Sequence, residues 1–419
     1  MATIGRRGDP MAMRRRLAGW LANREIVPTA GQAVFGYYAD TGVFDRESIQ
    51  LKRLVDERTE AMIRDAFEPV EDELAAAFDV EDVTFEYDTK LTLPAELTLG
   101  QLYRAARERA GDGTDPVALS VWADNATTSE VDGSDAVGPI RFRRPITETA
   151  WEDGPTDAQE IVDRGEYLTR LVIAALIDGD MRDAINDEEF EDFGVSFRLE
   201  PGERERVAEI AQSTLQSELD AAFDRLPDEI EAIYGWAVDI SERHQERDPQ
   251  FRELLADAQA GDQQARDRIR ETYRDAPITD LDIAVDRFAG IEELPYLKTQ
   301  YARVGVIYDG MIEMYRRAGL PVDDAFKRSI VLAIIGAQIW LDDVDDFVAD
   351  RVDNQLTPAT AEYVLAADDR DAYEAIVQIS ERYLDLAAEY ATETDSPLTG
   401  IAAEYIYRSG DPSVLPGHE

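Results

Sequence analysis

Asp342, Asp343, Asp345, Asp346 and Asp350, within IIGAQIWLDDVDDFVAD (Ile334 to Asp350), are the residues whose type and spacing speak most directly of chemistry. On a helix, residues four apart share a face, so Asp342, Asp346 and Asp350 form one acidic edge with Gln338 one turn before it. Such an edge suits a hard divalent cation, and Mg²⁺ often bridges one or two protein carboxylates to substrate phosphates. With 49 Asp among 419 residues, a DDxxD pattern arises by chance roughly 0.7 times if positions are independent. Context distinguishes this copy. The aspartates end a nearly continuous apolar run, Ile330 to Leu341, whereas a solvated charge run normally belongs to an amphipathic helix.

Three further features lie upstream. EYLTRLVIAALIDGDMRD, Glu166 to Asp183, is a second apolar run ending in acids: Asp178, Asp180 and Asp183. Apposed in a helical bundle, two such helices would line one cavity mouth with carboxylates; an ordinary polar helix end is the competing reading. GPIRFRRP, Gly138 to Pro145, places Arg141, Arg143 and Arg144 within four residues, a cationic group suited to bidentate phosphate contact or, equally, to pairing with the chain's own acids. Lys298-Thr299 precedes another apolar stretch in a chain with only four lysines, although a snorkelling surface Lys has the same signature.

Composition narrows the chemistry. A formal charge of −46 repels nucleic acid and anionic lipid, while a hydrophobic content of 44% suffices for a folded core. The acidic surface, with Arg used in place of Lys, fits a cytoplasm of concentrated salt, where the Debye length of about 3 Å at 1 M screens self-repulsion. Absence of Cys excludes thiolate chemistry and disulfides. Only two His are present: His418 lies in the terminal PGHE, and His244, in SERHQERD, reads as a surface residue. Carboxylate, Arg, Lys and Tyr chemistry remains, which points to oxygen-ligated metals and phosphates. No apolar run reaches the roughly 18 residues of a membrane span, so stable membrane insertion is not expected.

The elements that must position these residues are mainly helices. Helical periodicity predicts segments near 45–78, 97–110, 157–187, 202–224, 227–246, 249–275, 294–318, 323–352, 358–366 and 369–392. Val83 to Leu93 alternates as an extended segment, and residues 245–277 are polar enough to read as a peripheral helical excursion. Gly319-Leu320-Pro321 stops one helix and restarts another, and Thr357-Pro358 reads as an N-cap followed by Pro in the first turn. The expected organisation is a mixed N-terminal extension, residues 1–137, followed by an all-α domain, residues 138–419.

In their order, the four features resemble those of class I isoprenoid synthases of the trans-polyprenyl diphosphate synthase type. GPIRFRRP is similar to that family's GGKRLRP-like motif, LIDGDMRD to its first DDxxD, LKTQYARVG to its Lys-Thr pair, and GAQIWLDDVDDFVAD to its second DDxxD; the likeness spans roughly residues 138 to 400. The resemblance implies an isoprenoid-synthase-type helical bundle holding Mg²⁺ at Asp178, Asp180 and Asp183 and at Asp342, Asp343 and Asp346. It implies that Asp180, Asp342 and Lys298 serve catalysis. It further implies that Arg141, Arg143, Arg144, Lys298, Thr299 and Gln338 bind prenyl diphosphates, and that Ala174 and Ala175 floor the chain pocket. The activity implied is ionisation of an allylic diphosphate and transfer to isopentenyl diphosphate, by a homodimer or a heteromer with another prenyl synthase.

The sequence also departs from the family pattern. Gly179 stands at the leading Asp of the first motif, and Asp187-Glu188-Glu189 replaces an Arg pair. Ile140 or Arg141 occupies the Lys position of the loop, and Asn354-Gln355 replaces a Gly-Lys. A terpene-synthase-like enzyme, a non-catalytic prenyl-diphosphate-binding or partner subunit, and an acidic helical scaffold are the alternatives these departures leave.

Overall fold

The computed structural model describes residues 18, 22, 29–42, 46–87, 92–120, 151, 154–186, 188–200, 202–281 and 285–418. The fold is all-α, and the one sheet among these residues is a two-stranded antiparallel ribbon pairing Phe85 with Val195 and Glu86 with Gly194. Two compact units divide the chain: unit 1 comprises Met1–Ser48, Trp236–Gly310 and Asp323–Glu419, and unit 2 comprises Ile49–Gly235 and Met311–Val322. Among the described residues, no helix is long and apolar enough to cross a membrane.

Unit 1 is organised around the apolar helix Asp324–Ala337. Its start is fixed by Asp323, whose carboxylate accepts the Phe326 N–H at 2.7 Å. Buried Ile330, Val331, Leu332 and Ile335 then follow in a run too continuous for a surface helix. The helix packs against Asp369–Glu393, and Gly336 sets the approach: a Cβ there would lie 2.8 Å from Leu384 Cδ2. Trp340 anchors the C-terminal side through its indole N–H, donated to the Tyr407 carbonyl at 2.9 Å in the helix Pro397–Ser409. Thr357 and Thr360 make a reciprocal capping box at the start of Pro358–Leu365, as Thr357-Pro358 predicts.

The polar segment 245–277 is not peripheral. It forms Asp248–Gln259, Gln263–Ile269 and a π-helical turn, Arg270–Arg274, and it contributes Phe251, Leu255, Ala258, Ile269 and Tyr273 to the unit 1 core. Its apolar residues are sparse but share one face, so the polarity belongs to the opposite, solvated face. Thr29–Thr41 and Pro397–Ser409 are helices beyond those the periodicity marks. They pack closely through small residues, with Gly400 against the Tyr37 ring and Gly36 against Glu404.

Unit 2 carries Arg46–Phe78 from Ile49 onward, together with Leu93–Ala110, Ala158–Asn186 and Glu203–Phe223. Among the described residues of the predicted extended segment Val83 to Leu93, Phe85–Glu86 is strand, and Leu93 already opens a helix because Pro94 suits its first turn. The helix Ala158–Asn186 is buried over most of its length, polar residues included. Arg170 donates to Asp65 at 2.7 Å, while the Tyr103 and Ser120 hydroxyls both donate to Glu166 at 2.5 Å. The restart at Gly319 requires glycine twice over: its φ is +76°, and a Cβ would lie 2.7 Å from Gly154 Cα.

Candidate functional site: an arginine within the aspartate ladder

The expected helical edge is present, with one modification. Asp346 N–H donates to the Asp342 carbonyl and Asp350 N–H to the Asp346 carbonyl, both at 2.9 Å, so the three aspartates are spaced by successive helical turns. Just before them, Gln338–Asp342 forms a π-helical turn. The half-buried Gln338 side chain, at the start of this wider turn, favours the charged forms of Asp342 and Asp343. Asp342 and Asp346 are exposed, Asp350 is half-buried, and Asp343 is 2% exposed.

Arg303 supplies the counter-charge. It comes from a second π-helical turn, Tyr301–Gly305, and its Nη1 lies 3.2 Å from Asp343 Oδ1. Burial nevertheless pushes the Asp343 carboxyl up to about 7, with Asp350 and Asp342 adding repulsion against the pull of Arg303 and Gln338. Asp350 is pushed up to about 6 by burial and by Asp346, again against Arg303. Partial desolvation of the otherwise exposed Asp342, with repulsion from Asp346 and Asp345, raises it as well. Burial opposes the charge on Arg303 itself, but Asp343 outweighs it and holds the guanidinium above its ordinary value.

His244 belongs to this group rather than to an open surface. It is partly buried, its ring centroid lies 5.5 Å from that of Phe251, and burial together with Arg303 and Arg247 lowers its pKa to about 4. Tyr273, from the third π-helical turn, is buried beside Arg303 and donates its hydroxyl to the Leu356 carbonyl at 2.6 Å. Sequence reading placed His244 on the surface and singled out neither Tyr273 nor Arg303. The available signal for Arg303 was a single charge inside the otherwise uncharged stretch TQYARVGVIY, Thr299 to Tyr308.

Lys298 is ion-paired with Asp280 at 2.7 Å. Thr299 is buried, and its hydroxyl is spent on the Tyr273 and Tyr296 carbonyls at 3.1 and 3.2 Å, so it orders backbone instead of facing a ligand. Asn354, where the resembled family has glycine, takes φ +58° at the end of Phe347–Asp353, a left-handed cap for which Asn is suited. Gln355 beside it donates to Asp248 at 3.2 Å.

The unit 2 cluster is arranged differently. Asp178 is 2% exposed and held by Arg182 at 2.7 Å and Gln212 at 3.0 Å; burial raises its pKa in spite of both. Asp180 accepts the Tyr87 hydroxyl, and Asp183 is exposed. Gly179 has open space where a Cβ would stand, so no steric demand explains the missing carboxylate. Glu188 and Glu189 close the C-terminal end of the helix through backbone bonds to Ile185 and Ala184. Ala174 is buried and Ala175 half-buried on the same helix. Arg141, Arg143 and Arg144 lie outside the described residues.

These donors test the implied Mg²⁺. The oxygen chemistry is right, and Asp342 with Asp346 offers two accessible carboxylates one turn apart, which fits an ion shared with substrate phosphates. Asp343 does not fit, because Arg303 already neutralises it. Asp178 and Asp180 are likewise taken up by Arg182 and Tyr87. Among the described residues, no three His, Asp or Glu side chains are grouped so that they could hold a metal ion. A metal cage built from both clusters therefore does not follow from the arrangement of either. In comparison with known proteins, the chain matches no family model, no curated protein and no solved structure.

Proposed function

We propose that this chain acts on an allylic prenyl diphosphate as a divergent class I isoprenoid enzyme whose one working acidic cluster is the ladder in unit 1. The observation that carries this reading is the concentration of perturbed ionisable groups around Arg303: Asp342, Asp343, Asp350 and His244 are all shifted, beside an apolar helix. Such grouping is characteristic of sites where charge is handled. Mg²⁺ bound at Asp342 and Asp346 would neutralise diphosphate oxygens as the leaving group departs. The chain's own residues supply the rest. Gln338 orients Asp342 and Asp343, Arg303 keeps the inner carboxylate from repelling the substrate, and the apolar residues of the preceding helix limit water.

Prenyl transfer to isopentenyl diphosphate is the reaction the motif order favours, in a salt-rich cytoplasm. A second reading has its own support: the internally neutralised cluster at Asp178 and Asp180 favours a prenyl-diphosphate-binding subunit that works as a homodimer or beside another prenyl synthase. Incubation in molar KCl and Mg²⁺ with labelled isopentenyl diphosphate and each allylic diphosphate separates these readings. Elongated product supports transfer, and released pyrophosphate with alcohol or hydrocarbon supports ionisation alone. Saturable prenyl-diphosphate binding without turnover supports the subunit. Absence of binding with and without Mg²⁺ removes both readings and leaves an acidic helical scaffold.

A further inference from the structure

The stretch that bears the ladder is too broken to hold its own shape. It is built from three short pieces, the π-helical turn Gln338–Asp342 and the helices Asp343–Asp345 and Phe347–Asp353, each far below the roughly 12 residues at which a helix begins to persist alone. Its aspartates add mutual repulsion. Tertiary packing must therefore supply the order, and the segment Gly410–His418 reaches the ladder from both sides. Before the ladder, Trp340 donates its indole N–H to the Tyr407 carbonyl at 2.9 Å and stacks on the Tyr407 ring at 6.0 Å. Gly410 lies flush against that indole: a Cβ there would stand 2.1 Å from Trp340 Nε1. Beside the ladder, the turn Pro412–Val414 packs against Asp343–Asp345, and the next residue, Leu415, is buried in the unit 1 core. After the ladder, Phe347 packs its ring on that of Tyr363 at 4.4 Å, and the Tyr363 hydroxyl donates to the Pro416 carbonyl at 2.6 Å. Gly417 then seats the segment on Asp369–Glu393. Its φ is +84°, a Cβ there would lie 2.4 Å from the Asp369 carbonyl oxygen, and its own carbonyl accepts from Arg370 at 3.4 Å.

We infer that Gly410–His418 is a strap that fixes the geometry of the aspartate ladder, bracing Trp340 ahead of Asp342 and, through Tyr363, Phe347 behind Asp346. Its grip consists mainly of backbone carbonyls and glycine approaches, with Leu415 as the buried anchor, while Asp411, Ser413 and Val414 are exposed. A strap held in this way is released by one small change without opening the core beneath it. The inference concerns where the carboxylates stand and does not require the prenyl-diphosphate reading.

The test is hydrogen–deuterium exchange, followed by mass spectrometry, on the full-length protein in molar KCl for the wild type, Gly417→Ala and Tyr363→Phe. Both substitutions lie outside the ladder, and Tyr363→Phe keeps the ring that meets Phe347. Gly417→Ala is expected to speed exchange in peptides covering Asp342–Asp353 by roughly tenfold or more, and Tyr363→Phe by about fivefold, the scale of one lost hydrogen bond. Peptides covering Asp324–Ala337 should exchange as in the wild type. Unchanged ladder exchange in a folded Gly417→Ala overturns the inference. So does an acceleration of equal size in Asp324–Ala337, because it marks a general loss of unit 1 stability instead of a positioning contact. Where Gly417→Ala fails to fold, Tyr363→Phe decides the matter by the same two comparisons. Prenyl-diphosphate binding plays no part in this readout, so its failure would end the proposed function and leave the strap standing.

Discussion

The two aspartate clusters begin alike, each at the end of an apolar helix, and differ in what the fold does with them. In unit 2 the charges are consumed pairwise: Asp178 goes to Arg182 and Gln212, Asp180 to Tyr87, and Asp183 to the surface. In unit 1 several acids share one arginine, and Asp342, Asp343 and Asp350 are raised chiefly by desolvation, with repulsion from neighbouring carboxylates added to it. Paired charges are a structural solution. A group of acids left in mutual tension responds to whatever cation or proton arrives next.

The largest expected difference between the clusters is in stability. Asp343→Ala removes the closest partner of Arg303, whose side chain is 30% exposed, and should lower the unfolding free energy by about 1–3 kcal/mol, whereas Asp183→Ala should stay within about 0.5 kcal/mol. Urea unfolding in molar KCl measures both; near-equal values would erase the contrast. Asp178→Ala should cost a similar amount, about 1–3 kcal/mol, because Arg182, 39% exposed, likewise regains water when its partner is lost. A loss well above that of Asp343→Ala would show that unit 2 carries the more strained cluster.

The pH dependence sharpens the contrast further. A carboxyl raised to about 7 in the folded state, as at Asp343 against its ordinary value of 3.8, contributes stability that is full below that ordinary value and is lost as pH climbs through about 7. Asp350, raised to about 6, acts in the same direction. His244 acts in the opposite direction: depressed from 6.5 to about 4, it makes stability rise with pH across that window. Asp343→Asn should therefore flatten the decline most clearly between pH 6.5 and 7, where His244 no longer opposes it. His244→Gln should steepen the decline below pH 6.5. Glu166, pushed up to about 7 chiefly by burial, gives unit 2 a falling contribution of its own, which Glu166→Gln should remove. Thermal midpoints across pH 4 to 8 resolve all three variants. The smallest effect belongs to Gly179→Ala, which should stabilise by about 0.5–1 kcal/mol, since the position is helical and spatially open. Destabilisation there would mean that the glycine is required for a reason other than space.

Much of the helical architecture was legible because its signals are local. Thr357-Pro358 announces a helix start, Gly319 announces a stop, and the run Ile330 to Leu341 announces burial. The segment 245–277 was misread because average polarity conceals a one-sided apolar stripe, visible only when Phe251, Leu255 and Ile269 are seen to point into one core. The helices Thr29–Thr41 and Pro397–Ser409 escaped notice because glycine and alanine contribute little periodic hydrophobicity while permitting the closest approaches. At the site, the ladder's spacing was readable, but the spending of Thr299 on backbone carbonyls and the burial of His244 were not. Both depend on neighbours distant in the chain.

By itself, the sequence determined an acidic, cysteine-free, mainly helical chain whose chemistry must be that of oxygen ligands and guanidinium groups, together with the turn-by-turn spacing of Asp342, Asp346 and Asp350. Side-chain type and helical period are local properties, so the chain carries them unaided. Only the tertiary structure decided which carboxylates are already satisfied. It brought Arg303 to Asp343 across 40 residues of sequence, because neutralising a buried charge requires a partner in space, and no local pattern specifies where that partner comes from.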